Sequence, residues 1–149
     1  MTDYEAIVEQ ATSLLAGQDD LVANAANLSS LLFHALDEVN WVGFYFRKGD
    51  ELIVGPFQGR PACVAIPMGR GVCGTAAELR MVQRVPDVDA FDGHIACDGA
   101  SRSEIVIPII RNGELLGVLD LDSPVTDRFD QGDEDFLRKI AEVFVKSLG

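Results

Sequence analysis

Positive charge is scarce in this sequence: twelve Lys and Arg stand against twenty-four Asp and Glu, for a formal net charge of -12. A surface of that sign repels phosphate backbones and anionic headgroups, so nucleic acid and membrane are poor partners. No apolar run approaches the ~18 residues of a membrane helix. The acidic opening MTDYEAIVEQ has no basic stretch ahead of an apolar segment, and no secretory signal is expected. Cysteine is sparse and odd in number. Cys63, Cys73 and Cys97 lie ten and twenty-four positions apart and form no CxxC pair. This excludes a disulfide framework and leaves burial, metal binding or redox chemistry of thiols in a reducing, cytoplasmic compartment. The glycines at 69, 71 and 74 lack the Lys-Ser or Lys-Thr end of a phosphate loop.

What is present is apolar matter for one core: 48% of the 149 residues are hydrophobic, so residues 1–149 are read as a single domain. From Tyr4 to Leu36 apolar residues recur at helical spacing, and Gly17 divides them into two amphipathic helices. Trp41–Phe46 and Glu51–Val54 read as a hairpin around Gly49-Asp50, and Ala62–Ile66 as a further short strand. A short helix is expected over Thr75–Arg80, with Cys73 in its first turn or just before it. A brief strand fits Val82–Val85. Glu104–Ile110 and Glu114–Leu121 form a second hairpin about Asn112-Gly113, and Asp130 caps a last helix running through Val145. The order implies an α+β domain, helices packed on a central antiparallel sheet. Between them, residues 86–102 follow no period, and a long irregular connection in a compact domain commonly carries function.

Two thiols compete for the role of nucleophile. Cys73, near a helix N-terminus, stands where the macrodipole lowers a thiol pKa. Cys97 follows His94 by three residues and precedes Asp98 in the irregular loop. Local chemistry does not choose between them. A zinc site of three Cys with His94 lacks close ligand pairs, and a hydrolase using His94 as base rests on one His and one Cys. Asp120 and Asp122 share one strand face by alternation, close to Glu104 across the hairpin, so the three acids can cluster and hold at least one carboxyl protonated. Such a carboxylic acid beside a thiolate suits acid-assisted reduction. Trp41 and Tyr45, four apart on a strand, share a face as well.

The segments NWVGFYF (40–46), GPFQGRPACVAI (55–66), GRGVCGTA (69–76), FDGHIACDGASRSEIVIPI (91–109) and GVLDLDSP (117–124) together resemble the free methionine-R-sulfoxide reductases, an enzymatic branch of the GAF domains. The departures are small: Asp92 within FDGHIACD, and Gly99 and Arg102 in the same loop. The resemblance implies a six-stranded antiparallel GAF sheet flanked by N- and C-terminal helices. It also implies a homodimer, free methionine-R-sulfoxide as substrate and thioredoxin as external reductant, with no bound cofactor and no metal. By motif, it makes Cys97 the nucleophile, Cys63 the resolving thiol and Cys73 a third pocket thiol. Glu104, Asp120 and Asp122 become the pocket acids, and Trp41, with Tyr45 beside it, the aromatic wall against the substrate methyl. The alternative is a non-catalytic GAF module that senses a small ligand at the same place; only the enzyme releases methionine with dithiothreitol as reductant.

Overall fold

A computed structural model describes residues 2–93 and 100–149. The chain begins with helices α1 (Tyr4–Leu15) and α2 (Leu21–Ala35), whose first turns are capped by the Asp3 and Asp20 carboxylates. Strands β1 (Trp41–Lys48), β2 (Glu51–Gly59) and β3 (Ala65–Pro67) follow, then helix α3 (Gly71–Leu79) and strand β4 (Gln83–Val85). After a 3-10 turn at Val88–Ala90 come β5 (Ser103–Arg111), β6 (Glu114–Ser123) and helix α4 (Gln131–Ser147). The sheet order is β3-β2-β1-β6-β5-β4, and every neighbouring pair is antiparallel. The α+β, six-stranded antiparallel arrangement with flanking helices expected from the sequence is the one observed.

Alternation divides the sheet into two unlike faces. Val42, Phe44, Ile105, Ile107, Ile109, Leu119 and Leu121 point to one side and are buried under α1, α2 and α4. Trp41, Tyr45, Val106 and Val118 point to the other, beneath α3. The first face forms the main core. Phe44, fully buried, meets Phe144 of α4 with ring centroids 4.7 Å apart. Truncating a buried Phe to Ala costs about 3–5 kcal/mol, a large part of the roughly 5–15 kcal/mol that stabilises a domain. Phe44→Ala is therefore expected to lower the midpoint of chemical denaturation sharply, and a shift worth under about 1 kcal/mol would contradict this packing.

The sequence reading places β2 and β3 differently. The strand expected over Glu51–Val54 runs on to Gly59, with its register against β1 shifted between Gly43 and Tyr45. β3 pairs with β2 only at residues 51–53, so Pro56 sits at an irregular, one-sided position where no ladder donor is needed. β3 itself begins at Ala65, not Ala62, and residues 60–64 pass over the second face of the sheet as a loop.

Candidate active site

On the second face, the central strands carry polar residues where an apolar core would continue. Glu104 stands opposite Asp122 in the β5–β6 register, and Asp120 opposite Val106. Helix α3 lies over them. Gly74 allows this, because a Cβ there would come within 2.5 Å of the Pro67 carbonyl oxygen, so only glycine lets the first turn settle on the preceding loop. That seating brings the Cys73 thiol, in the first turn, down onto the carboxyls, and its S–H donates to Glu104 Oε2 across 3.8 Å. From β1, Trp41 and Tyr45 stack with centroids 5.8 Å apart, and the Trp41 indole N–H donates to the Arg60 carbonyl at 3.1 Å. Together these side chains line a cavity of about 50 Å³. A water needs about 10–15 Å³ by such a measure, so the cavity has room for a small polar molecule.

The electrostatics are set by burial. Glu104 and Asp120 are 7% and 4% exposed. Loss of water pushes both carboxyls well above the ordinary range, with the Asp120 charge adding to the shift of Glu104 and the Asp122 charge to that of Asp120. The acid cluster expected from the sequence thus forms, with two of its members favouring the protonated state. Among the described residues, Asp120 Oδ1 in this cluster is buried with no hydrogen-bond partner.

For Cys73 the structure corrects the expectation. A helix N-terminus lowers a thiol pKa, but here burial, followed by the charges of Asp120, Glu104 and Asp122, holds the thiol well above its usual value. Cys73 is a free, buried, neutral thiol rather than an activated nucleophile. The same surroundings raise the Tyr45 phenol, chiefly by burial. Cys63 is disulfide-bonded and follows the cavity-lining Ala62. Cys97 and His94 lie outside the described residues.

Of the expected site residues, Trp41, Tyr45, Cys73, Glu104, Asp120 and Asp122 all meet at this cavity. Arg70 and Ser101 line it too and were not singled out by the sequence reading. The Ser101 hydroxyl is buried without a hydrogen-bond partner among the described residues. Arg70 is hard to pick out in the sequence: Gly69-Arg70-Gly71 reads as loop, although Arg70 occupies the N-cap position of α3, without a side-chain capping bond.

A curled antiparallel sheet with a small polar cavity between one face and a short helix is the architecture of a GAF domain, and the family model described as GAF domain matches residues 4–148. The free methionine-R-sulfoxide reductase of Escherichia coli (strain K12) is 52% identical over 136 residues, 91% of this chain and 82% of that protein. The structure of fRMsr of Staphylococcus aureus in complex with substrate superposes with a TM-score of 0.96 at 50% identity, over 100% of this chain and 97% of that one. Free methionine-R-sulfoxide reductase from Neisseria meningitidis, also in complex with its substrate, gives a TM-score of 0.94 at 44% identity, over 97% and 87%. The chain belongs to the GAF family and, within it, to the free methionine-R-sulfoxide reductases.

Proposed function

We propose that this protein reduces free L-methionine-R-sulfoxide to methionine by a thiol cycle in the cavity beneath α3. The observation that carries the reading is the buried cluster of Glu104 and Asp120 facing Trp41, because it joins a proton donor, an unpaired carboxylate oxygen and an aromatic wall in a space fit for one amino acid. The Trp41 ring takes the S-methyl group. Asp120 and Asp122 hold the substrate ammonium, a group that peptide-bound methionine sulfoxide lacks; its positive charge favours the ionised form of Asp120, which burial otherwise holds protonated, and Asp120 Oδ1, without a hydrogen-bond partner among the described residues, supports that role.

Cys97 thiolate attacks the sulfoxide sulfur while the Glu104 carboxyl gives its proton to the sulfoxide oxygen, which ends on Cys97 as a sulfenic acid as methionine leaves. Cys63 condenses with the sulfenic acid, losing water and forming a disulfide. An external dithiol returns two electrons by exchange and regenerates both thiols. The disulfide-bonded state of Cys63 and the free, neutral state of Cys73 support this division of labour. Cys73, donating to Glu104 Oε2, positions that carboxyl. Cys97 as the nucleophile, thioredoxin as the dithiol, a homodimer as the working form and the lack of a bound cofactor come from the resemblance, and a cytoplasmic location from the sparse thiols.

With dithiothreitol as reductant, the protein is expected to release methionine from the free R epimer and to leave the S epimer nearly untouched, since the cavity fixes methyl, oxygen and ammonium at once. Chromatography of both reactions decides this, and equal release from the two epimers, or none from either, would refute it.

A further inference from the structure

Cys73 Sγ and one carboxylate oxygen each of Glu104 and Asp120 lie within 4.8 Å of one another, all on buried side chains. The Sγ to Oε2 distance is 3.8 Å. Tetrahedral zinc, with Zn–S about 2.3 Å and Zn–O about 2.0–2.2 Å, holds neighbouring sulfur and oxygen donors about 3.6 Å apart. The Cys73–Glu104 pair is close to the spacing that a metal ion would impose. Convergence of acids would not by itself argue for a ligand. Asp120 Oδ1 adds a second reason, because it is buried on a residue only 4% exposed, has no hydrogen-bond partner among the described residues and belongs to a side chain that lines the cavity. An unmet buried acceptor is costly, and a cation in the cavity relieves it. One thiolate with two carboxylates suits zinc or cadmium, whereas magnesium and calcium prefer all-oxygen sites.

We propose that Cys73, Glu104 and Asp120 bind one zinc or cadmium ion, and that this ion and the sulfoxide substrate exclude one another. Binding forms one metal–sulfur and two metal–oxygen bonds and releases the thiol proton and the carboxyl protons of the cluster to solvent; no electrons move. The fourth position faces the cavity and takes water. The metal would occupy the residues of the proposed reaction, but its binding does not depend on that reaction; only the exclusion rests on the reading that Asp120 holds the substrate ammonium. Free zinc or cadmium then shuts the site without engaging the exchange thiols.

The test uses the oxidised protein, in which Cys63 is disulfide-bonded and Cys73 is free. Cadmium added to it is expected to produce the ultraviolet thiolate-to-cadmium charge-transfer band, saturating at one ion per chain, with protons released into weak buffer. Cys73→Ser and Cys73→Ala both lose the band, the second variant guarding against misfolding of the first. Glu104→Gln and Asp120→Asn bind about 10-fold more weakly or worse. Absence of the band at stoichiometric cadmium, or unchanged affinity in both carboxyl variants, overturns the site. Unchanged cadmium affinity in saturating methionine-R-sulfoxide overturns the exclusion. A protein that binds cadmium in this way yet releases no methionine supports the metal site and refutes the proposed reaction.

Discussion

Cys97→Ser is expected to abolish the single-turnover release of methionine, whereas Cys63→Ser releases about one methionine per site and then stalls until a small thiol is supplied. The asymmetry follows from order in the cycle: the nucleophile acts in the step that frees methionine, and the resolving thiol only after it. Cys73→Ser is expected to slow the single turnover without abolishing it. Its thiol is buried, held neutral and hydrogen-bonded to Glu104, so it is a weak nucleophile. Rapid-quench measurement of methionine per active site, with reduced enzyme and no added thiol, separates the three variants. Loss of the first turnover in Cys73→Ser, together with its survival in Cys97→Ser, would reverse the assignment.

Glu104→Gln is expected to slow the reductive step by about 10²- to 10⁴-fold, the usual worth of general acid catalysis, with a smaller change in substrate affinity. The amide keeps shape and some hydrogen bonding but has no carboxyl proton to give to the departing oxygen. The sign of the pH dependence follows from burial. Because Glu104 is held protonated well above the ordinary carboxylate range, the acid is present at neutral pH and the rate falls as pH rises through its raised pKa. That alkaline decline should vanish in Glu104→Gln. Asp120→Asn is expected instead to weaken apparent affinity, since the ammonium contact exists before the transition state as well as in it. Pre-steady-state rates across pH distinguish the two. A reductive step of full speed in Glu104→Gln would move the proton donor to Asp120 or Asp122.

Much of this site was legible because strand alternation is a strict rule. Asp120 and Asp122 had to share a face, and the Asn112-Gly113 hairpin had to bring Glu104 beside them. The direction of the Cys73 shift was not legible. A helix position is visible in sequence, but the burial and the three carboxyls that outweigh the helix dipole are products of tertiary packing. The start of α3 was hidden for a related reason. Gly71 and Gly74 have low helix propensity, so the helix reads as beginning at Thr75, yet it begins at Gly71, and glycine at 74 lets its first turn rest against the Pro67 carbonyl. Likewise, Pro56 looks like a strand terminator until the one-sided edge of β2 is seen. Asp3, Asp20 and Asp130 were ordinary cap residues, and the helices they begin start close to where the spacing placed them.

The central claim is that the cavity is built for a free amino acid, and its most direct test compares kcat/KM for free and N-acetylated L-methionine-R-sulfoxide with the same reductant. A site that pairs its buried acids with a substrate ammonium rejects the analogue lacking it, by about 10⁴-fold where the polar groups are left unmet. The account predicts a preference of that order, and its collapse toward unity in Asp120→Asn. Comparable kcat/KM for the two substrates in the unaltered protein would contradict it.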